Sequence, residues 1–87
     1  KLFLLTALTI SLLIFQVDKA GAITNPSVIF HSGVELLQQG NYQQAVVKFT
    51  EAINIKEDYA AAYSNRCLAN LQLGEYQNAI IDCNQAI

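Results

Sequence analysis

Residues 40–45 read Gly40-Asn41-Tyr42-Gln43-Gln44-Ala45, and residues 74–79 read Gly74-Glu75-Tyr76-Gln77-Asn78-Ala79. A glycine, an aromatic two residues later and an alanine three beyond that return at a spacing of 34. A fixed period of this length is the signature of a helical repeat. Working outward at the same offset, Leu37-Gln38 falls on Leu71-Gln72, and Ala52-Ile53 falls on Ala86-Ile87, all identical. Val46 and Val47 fall on Ile80 and Ile81, which keeps apolar character. Asn25 before Pro26 reads as a helix start, because proline at the first helical position gives up an N–H that has no partner there. Gly40 and Gly74 read as helix stops in the left-handed conformation. Asn41 and Asp58 are expected to cap the helices that follow them, with a break at Lys56-Glu57 and a fourth helix from about Glu75. Ala45, Phe49, Ala52 and Ile53 recur at three- and four-residue steps and so form one buried stripe. The expected fold is all-α: two stacked antiparallel helix–turn–helix units at 26–59 and 60–87, preceded by a hydrophobic N-terminal helix.

The N-terminal stretch is different in kind. Residues 2–17 are overwhelmingly apolar, from Leu2 through Phe15, and Gln16, Asp18 and Lys19 end the run. A membrane-spanning helix needs about 20 apolar residues, so the run is short for a span and suits the core of a signal peptide. Ala20-Gly21-Ala22 supplies the small residues that a signal peptidase pocket needs. Residues 1–22 are therefore expected to be a signal peptide cleaved near Ala22, or otherwise a membrane anchor, with 23–25 as a linker. Either reading places the repeats outside the cytoplasm (periplasmic, lumenal or secreted) or tethered to a membrane. The sequence contains no methionine, and the chain is expected to be a fragment whose second repeat is incomplete.

Composition narrows the function. At 87 residues the chain holds one small domain, and 53% hydrophobic against 14% charged residues argues against a disordered tail. After residue 22 three basic side chains (Lys48, Lys56, Arg66) face six acidic ones, so no basic surface exists to neutralise phosphates, and no nucleic-acid partner is expected. His31 is the sole histidine and reads as a solvated surface group rather than a metal ligand. No serine lies in a nucleophile-elbow context and no glycine-rich phosphate loop occurs. The acidic residues read as scattered over solvated faces. The chain is expected to be no enzyme and to need no cofactor or metal.

This pattern resembles the tetratricopeptide repeat over residues 26–87. The family's small residue on the first helix is matched by Gly33 and Cys67, its large residue by Ile29 and Tyr63, its two alanines by Ala45 and Ala52 and by Ala79 and Ala86. Its aromatic on the second helix is Phe49, but Cys83 in the second repeat; its terminal proline is Glu57; Asn70 stands where an apolar residue is usual. The resemblance implies a right-handed superhelix, an α-solenoid whose concave groove binds a protein or peptide. The implied groove residues are Phe30, His31, Val34, Ser64, Asn65 and Leu68, with Ser27 and Ala61. The implied helix-packing residues are Gly33, Gly40, Tyr42, Ala45, Phe49, Ala52, Tyr63, Cys67, Gly74, Tyr76, Ala79, Cys83 and Ala86, with Tyr42 and Tyr76 filling the gap beside each turn. Asn65 is the two-way hydrogen-bonder that an extended peptide would use.

One branch of the family grips a C-terminal carboxylate with Lys, Asn and Arg. Tyr63-Ser64-Asn65-Arg66 looks like the middle of that clamp, but Phe30 and Val34 stand where its Lys and Asn would be. Cys67 and Cys83 fall on facing helices; two buried thiols are expected, with a disulfide as the alternative that export would allow. Self-association through unburied helix faces, with Ile80, Ile81 or Ile87 exposed, and service as an accessory module of a larger enzyme are the competing functional readings.

Overall fold

The computed structural model describes residues 25–87, and the expectations for residues 1–24 lie outside that range. Four helices follow one another: α1 (Pro26–Gln38), α2 (Tyr42–Ile55), α3 (Ala60–Gln72) and α4 (Tyr76–Ala86). The described chain is all-helical, with α1 packed on α2, α2 on α3 and α3 on α4.

Local chemistry sets the ends. The Asn25 side chain accepts the Ser27 N–H at 3.0 Å, which opens α1 ahead of Pro26. Gly40 takes φ 80° and Gly74 φ 78°, and the same pair of bonds closes both hairpins. The Gly40 N–H donates to the Leu37 carbonyl and the Asn41 N–H to that of Leu36; the Gly74 N–H donates to Leu71 and the Glu75 N–H to Asn70. This is the Schellman closure, which satisfies carbonyls that the helix itself leaves free.

Two caps differ from expectation. The Asn41 side chain makes no cap bond and donates instead to Gln39 Oε1 at 3.3 Å, while its backbone N–H belongs to the glycine turn. Asp58 stays in the turn, and α3 starts one residue later, with the Tyr59 carbonyl accepting from Ala62 and Tyr63. The Tyr63 hydroxyl reaches back to the Glu57 carbonyl at 3.0 Å and pins that turn to α3.

The apolar core is uneven. Ile29, Ala45, Phe49, Ala52, Ile53 and Ala62 form one cluster, with Phe30, Val34, Leu36, Leu37, Tyr59 and Tyr63 packed around it. All of these but Ala62 and Tyr63 precede α3. Phe49 is completely enclosed, and it sits against Gly33 because nothing larger than hydrogen fits there: a Cβ on Gly33 would stand 2.6 Å from Phe49 Cε1. In the second hairpin the buried residues are smaller or polar: Cys67, Ala69 and Asn70 on α3, Ala79 and Asp82 on α4. Tyr76, expected to pack beside its turn, is 64% exposed, whereas Tyr42 is half-buried. Ala86 is half-buried at the end of α4.

Candidate functional site

The two faces of α3 do different things. A helix advances about 100° per residue, so Ser64 and Leu68 point almost opposite to Arg66 and Asn70. On the Arg66 side, α2, α3 and α4 enclose an open cleft of about 280 Å³. Its floor is a polar network. Arg66 holds Asp82 in a fork, Nη2 to Oδ1 at 2.6 Å and Nε to Oδ2 at 2.8 Å. Asn70 Nδ2 donates to the same Oδ2 at 3.1 Å. Arg66 Nη1 donates to Thr50 Oγ1 at 3.0 Å, and the Thr50 hydroxyl donates on to the Val46 carbonyl at 2.7 Å.

Asp82 is 3% exposed, which corrects the expectation that the acidic residues all lie on solvated faces. A buried carboxylate must be paired and fully bonded to be tolerated, and here three donors from two side chains supply that. Among the described residues no buried side-chain nitrogen or oxygen lacks a partner. The guanidinium of Arg66 is held above its ordinary pKa, first by the hydrogen bonds to Asp82; burial opposes this and the attraction of the carboxylate adds to it. The network also explains Asn70, which stands where the repeat usually has an apolar residue. Its amide completes the shell of Asp82.

Sequence reasoning did not single out this network. The available signal was spacing: Asp82 lies three residues after Ala79 and four before Ala86, on the buried stripe of its helix. The network further removes Arg66 from the clamp-like segment Tyr63-Ser64-Asn65-Arg66, because its donors are committed on the face away from Ser64 and Leu68.

On the opposite face, Ala61, Ser64 and Leu68 are exposed and Asn65 is half-buried. On α1, Ser27 and His31 are exposed, while Phe30 and Val34 are half-buried against the core. The Phe30 ring stacks on Tyr59 with centroids 5.0 Å apart and lies 5.7 Å from Phe49 and 5.8 Å from His31. Lys56 Nζ sits 4.9 Å from the Tyr59 ring centre, so the cation nearest this aromatic group rests on an aromatic face. Lys48 pairs with Glu51 at 3.5 Å.

Cys67 and Cys83 are joined in a disulfide with Cα atoms 5.3 Å apart. This corrects the expectation of two buried thiols: Cys67 is enclosed, but Cys83 is exposed, and the bond ties α3 to α4. Among the described residues no group of three or more His, Cys, Asp or Glu side chains could hold a metal ion. No helix among them is long and apolar enough to cross a membrane.

A family description reading "TPR repeat" matches residues 33–74. This stretch, just under half of the chain, is similar to a tetratricopeptide repeat. It is 35% identical over 72 residues to the mitochondrial import receptor subunit TOM34 of Homo sapiens, a match covering 83% of this chain and 23% of that protein. It is 38% identical over 55 residues to sperm-associated antigen 1 of Mus musculus, across 63% of this chain and 6% of that protein. It is 33% identical over 55 residues to tetratricopeptide repeat protein 12 of Homo sapiens, across 63% and 8%. The chain therefore spans less than a quarter of the curated relatives it matches.

Proposed function

We propose that residues 26–59 and 60–87 are two tetratricopeptide repeats that dock a protein or peptide segment against the face carrying Ser64, Asn65 and Leu68, flanked by Phe30, His31 and Val34. The chain acts by binding and not by catalysis. The observation that carries this reading is the division of α3. On one face the polar groups of Arg66, Asn70 and Asp82 are paired with one another, and the other leaves Leu68 45% exposed beside a half-buried amide. Leu68 and the Phe30–Tyr59 edge supply apolar contact, and Asn65 can bond both the N–H and the C=O of an extended backbone.

A photo-crosslinking amino acid in place of Leu68 tests this in the native cell, with Asn78 on the cleft side as the control position. The expected result is a protein adduct at position 68 that Asn65→Ala abolishes and that is absent at position 78. Equal adducts at both positions, or indifference to Asn65→Ala, would overturn the reading.

The proposal includes export, with residues 1–22 as a signal peptide cleaved near Ala22 or retained as a tether. The Cys67–Cys83 bond supports it, since disulfides form in oxidising compartments and are rare where thiols are kept reduced. The N-terminal residue of the protein from its own cell decides between the two forms: Ile23 marks cleavage, an intact Lys1 segment in the membrane fraction marks the tether, and an intact soluble chain rejects both. A second reading, self-association, is favoured by one observation: Tyr76, Ile80 and Ile81 on α4 are each 60% exposed or more. A mass in solution that rises with concentration would support it.

A further inference from the structure

We propose that the Cys67–Cys83 pair is a thiol–disulfide exchange site whose oxidation holds α4 against α3. The argument starts from the first repeat. The positions 34 residues before Cys67 and Cys83 are Gly33 and Phe49, and there the two helices are joined by a ring pressed onto a bare backbone. The second repeat has no ring at that crossing. Its place is taken by two small side chains joined in a covalent bridge, and the Cα separation of 5.3 Å lies within the range a disulfide requires.

The helix α4 buries fewer apolar side chains than α2. Its buried residues are Ala79 and Asp82, while Ile80 and Ile81 face outward. An alanine contact and the bonds of Asp82 to Arg66 and Asn70 lack the apolar area that Phe49 and Ile53 give α2. The first hairpin is closed by packing and the second by a bond that can be made and broken.

Access is one-sided. Cys67 is 2% exposed and Cys83 is exposed, so an attacking thiolate approaches the Cys83 sulfur. The reagent class is a dithiol oxidoreductase. Its thiolate bonds to Cys83 Sγ as the Cys67–Cys83 bond breaks, and Cys67 leaves as a thiolate that takes up a proton. The second thiol of the reductant then displaces Cys83, which also takes up a proton. Two electrons pass to this chain and the reductant ends as a disulfide; the reverse sequence closes the bridge.

Hydrogen exchange on the whole protein, before and after treatment with dithiothreitol, tests the proposal. Closing a loop of this size implies that amide protection in α4 falls roughly a hundredfold on reduction, while α2 keeps its protection as the internal standard. Unchanged protection in α4 would overturn the proposal, and so would an equal loss in α2. A Cys67→Gly/Cys83→Phe variant, which places the first-repeat pair in the second repeat, is expected to protect α4 with or without dithiothreitol; loss of α4 protection there while α2 stays protected would refute the packing argument. Glutathione disulfide locates the attack. With Cys67→Ser it is expected to label Cys83 faster than it labels Cys67 in Cys83→Ser, and equal rates would overturn the assigned direction.

Discussion

Replacing Gly33 by alanine sets two opposing effects against each other, and the structure decides the sign. Alanine in a helix interior is favoured over glycine by about 1 kcal/mol. Gly33 lies in the middle of α1, so an exposed site there would gain that amount. The added Cβ, however, meets Phe49 Cε1 at 2.6 Å, Cδ1 at 2.8 Å and Cζ at 3.0 Å. Restoring ordinary contact needs a displacement of about 1 Å. Phe49 has nowhere to go: it is 0% exposed and its ring lies 5.7 Å from that of Phe30, which stacks on Tyr59. Overpacking of this kind costs about 1–3 kcal/mol. The expected net effect of Gly33→Ala is a loss of about 1 kcal/mol, a fall in Tm of about 4–8 °C for a domain of this size. Urea unfolding followed by circular dichroism measures it directly. The same substitution in a Phe49→Leu background, where the ring is gone, is expected to be neutral or stabilising by up to about 1 kcal/mol. A Gly33→Ala protein that is more stable than its parent while Phe49 is present would refute the reasoning.

Asp82→Ala strands the Arg66 guanidinium and the Asn70 amide together. The expected cost is about 2–4 kcal/mol, below the figure for a fully buried pair because the Arg66 side chain is 20% exposed, and a denaturant midpoint reads it. The pKa of Arg66 is raised by folding, so its contribution is fully present below the unfolded value and is lost only as pH climbs through the still higher folded one. The stability difference between the parent and Arg66→Gln is therefore expected to stay flat from pH 7 to 10; a difference that shrinks over that interval would show the ion pair to be misassigned. Gly74→Ala meets open space, with nothing within 4 Å, so its cost is backbone strain at φ 78° alone: about 1–2 kcal/mol in thermal unfolding, with Gly74→Asn costing less.

The parts of the fold that were legible in the sequence are those where the backbone makes the demand. Gly40 and Gly74 are written into the chain because their φ admits little else, and Gly33 and Ala45 because helices approach closely where they stand. The caps were less legible. Asn41 is a good capping residue by type, yet its side chain bonds to Gln39 and caps nothing. Asp58 lost its place to Tyr59 for a related reason, since the cap is set by which carbonyl the first turn of α3 uses.

The polar network was illegible for a different reason. Arg66, Thr50, Asn70 and Asp82 come from three helices, and although Asn70 and Asp82 fall at positions that face inward, nothing in the sequence pairs them with Arg66 and Thr50 until the helices are placed. The disulfide could be located but not decided, because two cysteines on facing helices fit a pair of thiols as well as a bond. The missing ring at Cys83, set beside Phe49, was the available hint.

The reach of Arg66 has a mechanical consequence. Contact between apolar faces is non-directional, so packed helices can slide over one another at small cost. A forked guanidinium–carboxylate pair permits no such slip, because its two bonds exist at one separation and one angle. Arg66 makes that pair with α4 and a third bond with Thr50 on α2, so a single side chain on α3 indexes both neighbours. The solenoid can therefore flex about this point but not shift along it. Between α3 and α4 this restraint is shared with the Cys67–Cys83 bond, whereas toward α2 it comes from the bond of Arg66 to Thr50.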